Sequence, residues 1–102
     1  MQVNITHTDD VMIVKMSGEL DHHYVEDSRK LIDKDIDRKN VKHLIFDLED
    51  VGFMDSSGIG LVIGRYKRIH SNKGLVSIVN AKDRVDAIFA MAGIYKIIDK
   101  YD

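Results

Sequence analysis

The chain has 102 residues, 44% of them hydrophobic, with 15 Lys and Arg against 17 Asp and Glu for a net charge of -2; that is material for a single domain over residues 1–102 and leaves no room for a second core. Lacking cysteine, it has no disulfide, thiolate nucleophile, iron–sulfur cluster or cysteine zinc site. The near-neutral balance argues against a nucleic-acid binder, and with no basic leader and no apolar run near the roughly 20 residues that span a bilayer, a cytoplasmic protein without membrane contact is expected.

Val3, Ile5 and His7 alternate up to a break at Asp9-Asp10, and the apolar, β-branched run Val11 to Met16 follows, interrupted only by Lys15. This predicts an opening β-hairpin whose second strand closes at Ser17-Gly18-Glu19. From Asp21, read as a helix cap, the spacing turns helical, with Tyr24, Ser28, Leu31, Ile32 and Ile36 on one stripe and an end at Lys39-Asn40. His43 to Leu48 is a compact apolar run suited to a central parallel strand, and Glu49 to Met54 reads as the loop after it.

A second helix is expected from Asp55-Ser56-Ser57 to about Asn72-Lys73-Gly74, burying Ile59, Val62, Ile63, Tyr66 and Ile69 and leaving Leu61 off that stripe. Leu75 to Val79 is the next strand. Lys82 to Ala92 is a third helix with Val85, Ile88, Phe89 and Ala92 inward, Gly93 as its C-terminal cap, and Ile97-Ile98 as a short edge strand. The fold class is α/β: a mixed sheet of four or five strands with an N-terminal hairpin, packed by three or more helices, the later strands made parallel by right-handed crossovers.

The stretch from Phe53 to Lys67 stands out because Gly58, Gly60 and Gly64 fall in the first turns of a helix, where each costs about 1 kcal/mol against alanine. Such a cost is tolerated where another backbone or a partner comes close, and the helix start adds free N–H groups and the positive end of its dipole. Two readings are open. Asp55 or Ser56 caps the helix while the glycines seat it on the sheet, or Ser56 is a phosphorylation switch. A phosphate there adds roughly -1.5 to -2 charge that a helix N-terminus accepts and that repels a partner shaped for a neutral hydroxyl.

The run Phe53-Met54-Asp55-Ser56-Ser57-Gly58-Ile59-Gly60, continued by Leu61-Val62-Ile63-Gly64-Arg65-Tyr66-Lys67, resembles the signature of the anti-sigma factor antagonists within the STAS domain family. Gly18-Glu19-Leu20-Asp21-His22-His23 adds a second match, similar to the sporulation branch of that family more than to its general-stress branch. Leu48-Glu49-Asp50 and Met91-Ala92-Gly93-Ile94-Tyr95-Lys96-Ile97-Ile98 extend the resemblance over nearly the whole chain.

The resemblance implies the STAS fold and a partner-switching protein that is not an enzyme. The unmodified antagonist binds a dimeric anti-sigma factor that is also a serine kinase, holding ATP or ADP, and so frees the sigma factor. The kinase then phosphorylates the antagonist and ends the interaction, and a serine phosphatase resets it. Matched residue by residue, Ser56 is the phosphoacceptor, Asp55, Ser57, Gly58 and Gly60 surround it, and Asp21 is the acidic loop residue beside it. His22, His23 and Leu61 are expected as neighbouring partner contacts. ATP belongs to the kinase, so no cofactor is expected on this chain, which is expected to be a monomer when free. Sporulation members of the family continue past the last short strand into another helix, expected to be shortened or absent in a sequence ending at Asp102.

Other features point elsewhere or nowhere. The five histidines, His22-His23 included, lack the i, i+4 spacing of a helical zinc site, so no metal is expected. Arg65, Lys67, Arg68, His70 and Lys73 form a basic run, either a solvated face or a docking patch for an acidic partner. Asp55-Ser56-Ser57-Gly58 is not a G-x-S-x-G elbow, and neither a phosphate-binding loop nor a dinucleotide fingerprint is present, so no catalytic residues are expected. A rival from another class is a receiver-like domain taking phosphate on Asp47 at the end of its apolar strand. A STAS scaffold or ligand-sensing domain without phosphorylation is a further alternative.

Overall fold

The alternation of Val3, Ile5 and His7 becomes strand β1 (Gln2–Thr8), which pairs antiparallel with β2 (Val11–Leu20) in a computed structural model describing Gln2 to Asp102. Helix α1 (Val25–Arg38) then leads to β3 (His43–Met54), α2 (Ser56–Ser71) to β4 (Leu75–Val79), and α3 (Asp83–Met91), through a 3-10 turn at Ile94–Lys96, to β5 (Asp99–Tyr101). The five strands lie in chain order, β1-β2-β3-β4-β5, and every pairing after the first is parallel. The mixed five-stranded sheet with three helices is the expected architecture.

Three parallel steps in one direction put the crossover helices on one face of the sheet. His7, level with Met12 and Leu44, meets Asp35 of α1, and Lys100, level with Ile78, meets Asp86 of α3. On this face Met12, Val14, Met16, Leu44, Phe46, Leu48 and Ile78 are buried with Ile32, Val62, Ile69, Val85 and Phe89 from the helices. The opposite face carries Val11, Ile13, Ile45 and Val79, all half-buried.

Glu49 to Met54 is not a loop. It continues β3 to twelve residues, with two register shifts against β2. Asp47 pairs with Lys15 and Asp50 with Ser17, then Val51 with Gly18 and Phe53 with Glu19, so β3 takes one extra residue at each shift. The extra residues stretch its buried positions from a period of two to Leu48, Val51 and Met54, the mark of β-bulges. They also carry the end of β3 level with the end of β2, where Met54 faces Leu20.

Two other expectations are corrected. Helix α1 starts at Val25 rather than Asp21, and Tyr24 and Leu31 lie exposed while Ser28 and Ile32 form its buried stripe. The last strand is Asp99–Tyr101; Ile97 is exposed and Ile98 plugs the core ahead of it. Helix α2 ends at Ser71 with Asn72 as its cap, as expected, and the next residue, Lys73, takes the left-handed region. The Lys73 and Gly74 N–H groups donate to the His70 and Ile69 carbonyls, as in a Schellman motif. Gly74 is needed for space, since a Cβ there would stand 2.8 Å from the Lys42 carbonyl oxygen. Gly93 is left-handed after α3, as expected of a cap.

The basic run is not a wholly solvated face: Lys67, His70 and Lys73 are exposed, but Arg65 and Arg68 turn to α1. Arg65 is 7% exposed, with Nε 2.9 Å from Asp33 Oδ1 of α1 but off the hydrogen-bond direction, and Nη1 buried without a partner. Arg68 reaches the same oxygen at 2.8 Å and also pairs with Asp37, while Arg29 lies 3.5 Å from Asp33 Oδ2 and pairs with Glu26. One carboxylate thus gathers three guanidinium groups and ties α1 to α2. A second cluster fastens the short β5: Tyr95 Oη and Lys100 Nζ both donate to Asp86 Oδ1, at 2.7 and 2.9 Å. These bonds lower the Asp86 pKa, while burial and the same contact raise that of Tyr95.

Removing one member of a largely buried ion pair strands the other charge. Asp33→Ala is expected to lower unfolding stability by about 3 kcal/mol in urea denaturation. Combining it with Arg65→Met should recover most of that loss; a double variant no more stable than the single one would show that Arg65 is not the stranded charge.

Candidate functional site

The ends of β2 and β3 deliver two loops to one place. The Asp55 N–H donates to the Leu20 carbonyl at 3.3 Å, so the chain entering α2 is tied to the chain leaving β2. Beyond Leu20, Asp21 caps a turn, not the helix: its Oδ1 accepts the His23 N–H at 3.0 Å and its carbonyl accepts the N–H groups of Tyr24 and Val25. This turn leaves Asp21 half-buried and His22 and His23 exposed, their rings 4.1 Å apart.

Asp55 is the N-cap of α2, extended in backbone, with Oδ1 accepting the Ser57 N–H at 2.8 Å and Oδ2 lying 3.7 Å from His22 Nδ1. Burial pushes its carboxyl pKa up, but the bonds from Ser57 and the His22 contact outweigh that and hold it below the ordinary carboxylate value. Ser56, the first residue of the helix, is exposed, and Ser57 is half-buried. Of the two readings of Asp55 and Ser56 as cap, the carboxylate takes the role, and Ser56 is spare.

The three glycines divide. Gly58 is buried, and a Cβ there would stand 2.7 Å from Met54 Sδ and 3.0 Å from Leu20 Cγ, and closer still to Met54 Cγ. Its bare backbone lets α2 sit down on the paired strand ends. Gly60 and Gly64 have open space where a Cβ would go, and Gly60 is exposed, so nothing inside the molecule requires a glycine at either. Four-residue steps place Ser56, Gly60 and Gly64 along one side of the helix, leaving a low stripe beside the serine.

Leu61 is corrected: at 3% exposure it belongs to the buried stripe of α2 with Gly58, Val62, Arg65 and Ile69, and it offers nothing to a partner. Ile59, Ile63 and Tyr66, expected at the centre of that stripe, lie at its margin, half-buried. The sequence reading missed two exposed aromatic residues on the same loops. Phe53 directly precedes Met54 at the end of β3, and Tyr24, set edge-on to His23, follows the histidines. Asp47, the residue of the receiver-like reading, is engaged instead: its Oδ1 accepts the Glu49 N–H and Asn80 Nδ2, each at 3.1 Å, tying β3 to the residue after β4. Among the described residues no cluster of three or more His, Asp or Glu is placed to hold a metal ion, and no helix is long and apolar enough to cross a membrane.

Residues 2–102 match the STAS domain family. The anti-sigma F factor antagonist of Paenibacillus polymyxa is 37% identical over 102 residues, spanning 100% of this chain and 87% of that protein. Among solved structures, the anti-sigma factor antagonist SpoIIAA in its unphosphorylated form superposes with a TM-score of 0.87 at 30% identity, covering 99% of this chain and 89% of its own. The Bacillus cell fate determinant SpoIIAA in the phosphorylated form gives 0.79 at 29% identity, with coverage of 99% and 92%. The resemblance carried by Phe53 to Lys67 is thereby borne out along the chain.

The glycines should separate cleanly in the free protein. Gly58→Ala is expected to cost about 2 kcal/mol in denaturant unfolding, because Met54 and Leu20 must move. Gly60→Ala should be neutral or stabilising by up to about 1 kcal/mol. Equal effects at the two positions would contradict the packing described.

Proposed function

Since the chain belongs to the STAS domain family, as one of its anti-sigma factor antagonists, we propose that it is a single-domain partner switch controlled at Ser56. Antagonists of this kind are regulatory binding proteins, not enzymes. In the proposed cycle the unmodified chain, a monomer in the cytoplasm, binds a dimeric anti-sigma factor and displaces the sigma factor, in the setting of sporulation. The anti-sigma factor is also a serine kinase. It transfers the γ-phosphoryl group of ATP to Ser56 Oγ, releasing ADP and the hydroxyl proton, and a serine phosphatase later removes the phosphate.

The observation that carries this reading is the exposed Ser56 hydroxyl at the first position of α2, released from capping by Asp55 and flanked by the open Gly60. A kinase can reach the oxygen without unfolding the helix. A partner fitted to the low surface over Ser56 and Gly60 approaches the backbone closely, and roughly -1.5 to -2 added charges and three oxygens at that contact repel it by bulk and charge. Asp21, His22, His23, Asp55 and Ser57 border the contact in this proposal, and Gly58 serves it from beneath. That SpoIIAA has been solved in both forms, with this chain superposing on each, supports a switch that keeps the fold.

Incubation with ATP and the anti-sigma kinase should place one phosphate on Ser56, mapped by peptide mass spectrometry and absent from Ser56→Ala. Ser56→Ala should bind the kinase as the wild type does, and Ser56→Asp at least about tenfold more weakly, measured by calorimetry. Gly60→Ala should weaken binding by a similar factor without loss of stability. An unphosphorylated Ser56 beside an active kinase, or wild-type affinity in Ser56→Asp, would overturn the switch.

A further inference from the structure

The two loops that meet at the start of α2 are short of positive charge. Residues 18–24 and 52–58 hold three carboxylates, those of Glu19, Asp21 and Asp55, and neither lysine nor arginine. Only His22 and His23 can carry a positive charge there. His22 is the one turned toward the helix start, its Nδ1 3.7 Å from Asp55 Oδ2 while the other Asp55 oxygen is occupied by the Ser57 N–H. Its backbone is fixed, because Leu20 on one side accepts the Asp55 N–H and His23 on the other donates to Asp21. Its side chain is 69% exposed and free to turn.

We propose that His22 is the counter-ion of a phosphate on Ser56, moving between the Asp55 carboxylate in the unmodified chain and the phosphate in the modified one. The proposal rests on the reading of Ser56 as phosphoacceptor. A phosphate on the residue after Asp55 sets close to two negative charges beside a carboxylate that stays ionised, and the α2 N-terminus offsets only about half a charge. On these two loops, the imidazole facing Asp55 is the group placed to supply a whole one. The ionisable groups on the two loops that carry it are Asp55 at the start of α2, Asp21 and His23 in its own turn, and Glu19 near the end of β2. Because the carboxylates raise the cost of the phosphate dianion, the contribution of His22 stands out against them. His23 makes no such contact with Asp55; its ring lies tilted against that of His22 and edge-on to Tyr24, and it serves as the internal control.

The test uses the full chain with phosphoserine encoded at position 56, so that no kinase is involved. The second ionisation of the phosphate is followed by phosphorus NMR as a function of pH. An adjacent cation favours the dianion, so removing it raises the midpoint. His22→Gln is expected to raise it by about half a pH unit or more, and His23→Gln to leave it in place. An unchanged midpoint in His22→Gln, or a shift confined to His23→Gln, overturns the assignment. If the kinase experiment instead fails to place phosphate on Ser56, the switch reading falls while this titration keeps its own result.

Discussion

A single backbone hydrogen bond, from the Asp55 N–H to the Leu20 carbonyl, sets the place where β2 and β3 release their loops, and the arrangement around Ser56 depends on it. To reach that point β3 must run seven residues past the end of its pairing with β4 and absorb two bulges. The paired ends then present Leu20 and Met54 as a floor, and α2 can rest on that floor because Gly58 has no side chain. One spatial requirement therefore explains the length of β3, the turn made by Asp21 and the first glycine of the helix.

Charge fixes what packing leaves free. Asp55 satisfies the first turn of α2 and in doing so spares the Ser56 hydroxyl. Further along, Asp33 gathers Arg29, Arg65 and Arg68 and holds α1 against α2. The loop bearing His22 and the helix bearing Ser56 are thus anchored to each other at both ends of the helix pair.

Much of this was legible in the sequence. Period-two alternation marked the hairpin, the compact run at His43 marked a central strand, and Asp55-Ser56-Ser57 marked the start of α2. The misreadings have physical causes. Bulges change the period of a strand from two to three, so the end of β3 looked like a loop. The buried stripe of α2 contains a glycine and an arginine, which count as neutral and polar in a hydrophobic pattern, and the stripe was therefore drawn one residue off, leaving Leu61 outside. Asp33, the partner that makes Arg65 tolerable inside, stands 32 positions away in the chain, beyond the reach of any local pattern. The short β5 is exposed at all three residues and is held by a side-chain cluster on α3, so nothing in its own composition announces a strand.

The order of the strands in the sheet, identical to their order in the chain, bears on how the molecule comes into being. Each new strand after the hairpin pairs with the one made just before it, so no strand waits for a partner not yet synthesised. A growing chain can therefore extend its sheet from one edge as it emerges from the ribosome, with closing loops of modest length at each step. In such a sequence the floor formed by Leu20 and Met54 is complete before most of α2 exists, and the helix bearing Ser56 forms directly onto its seat.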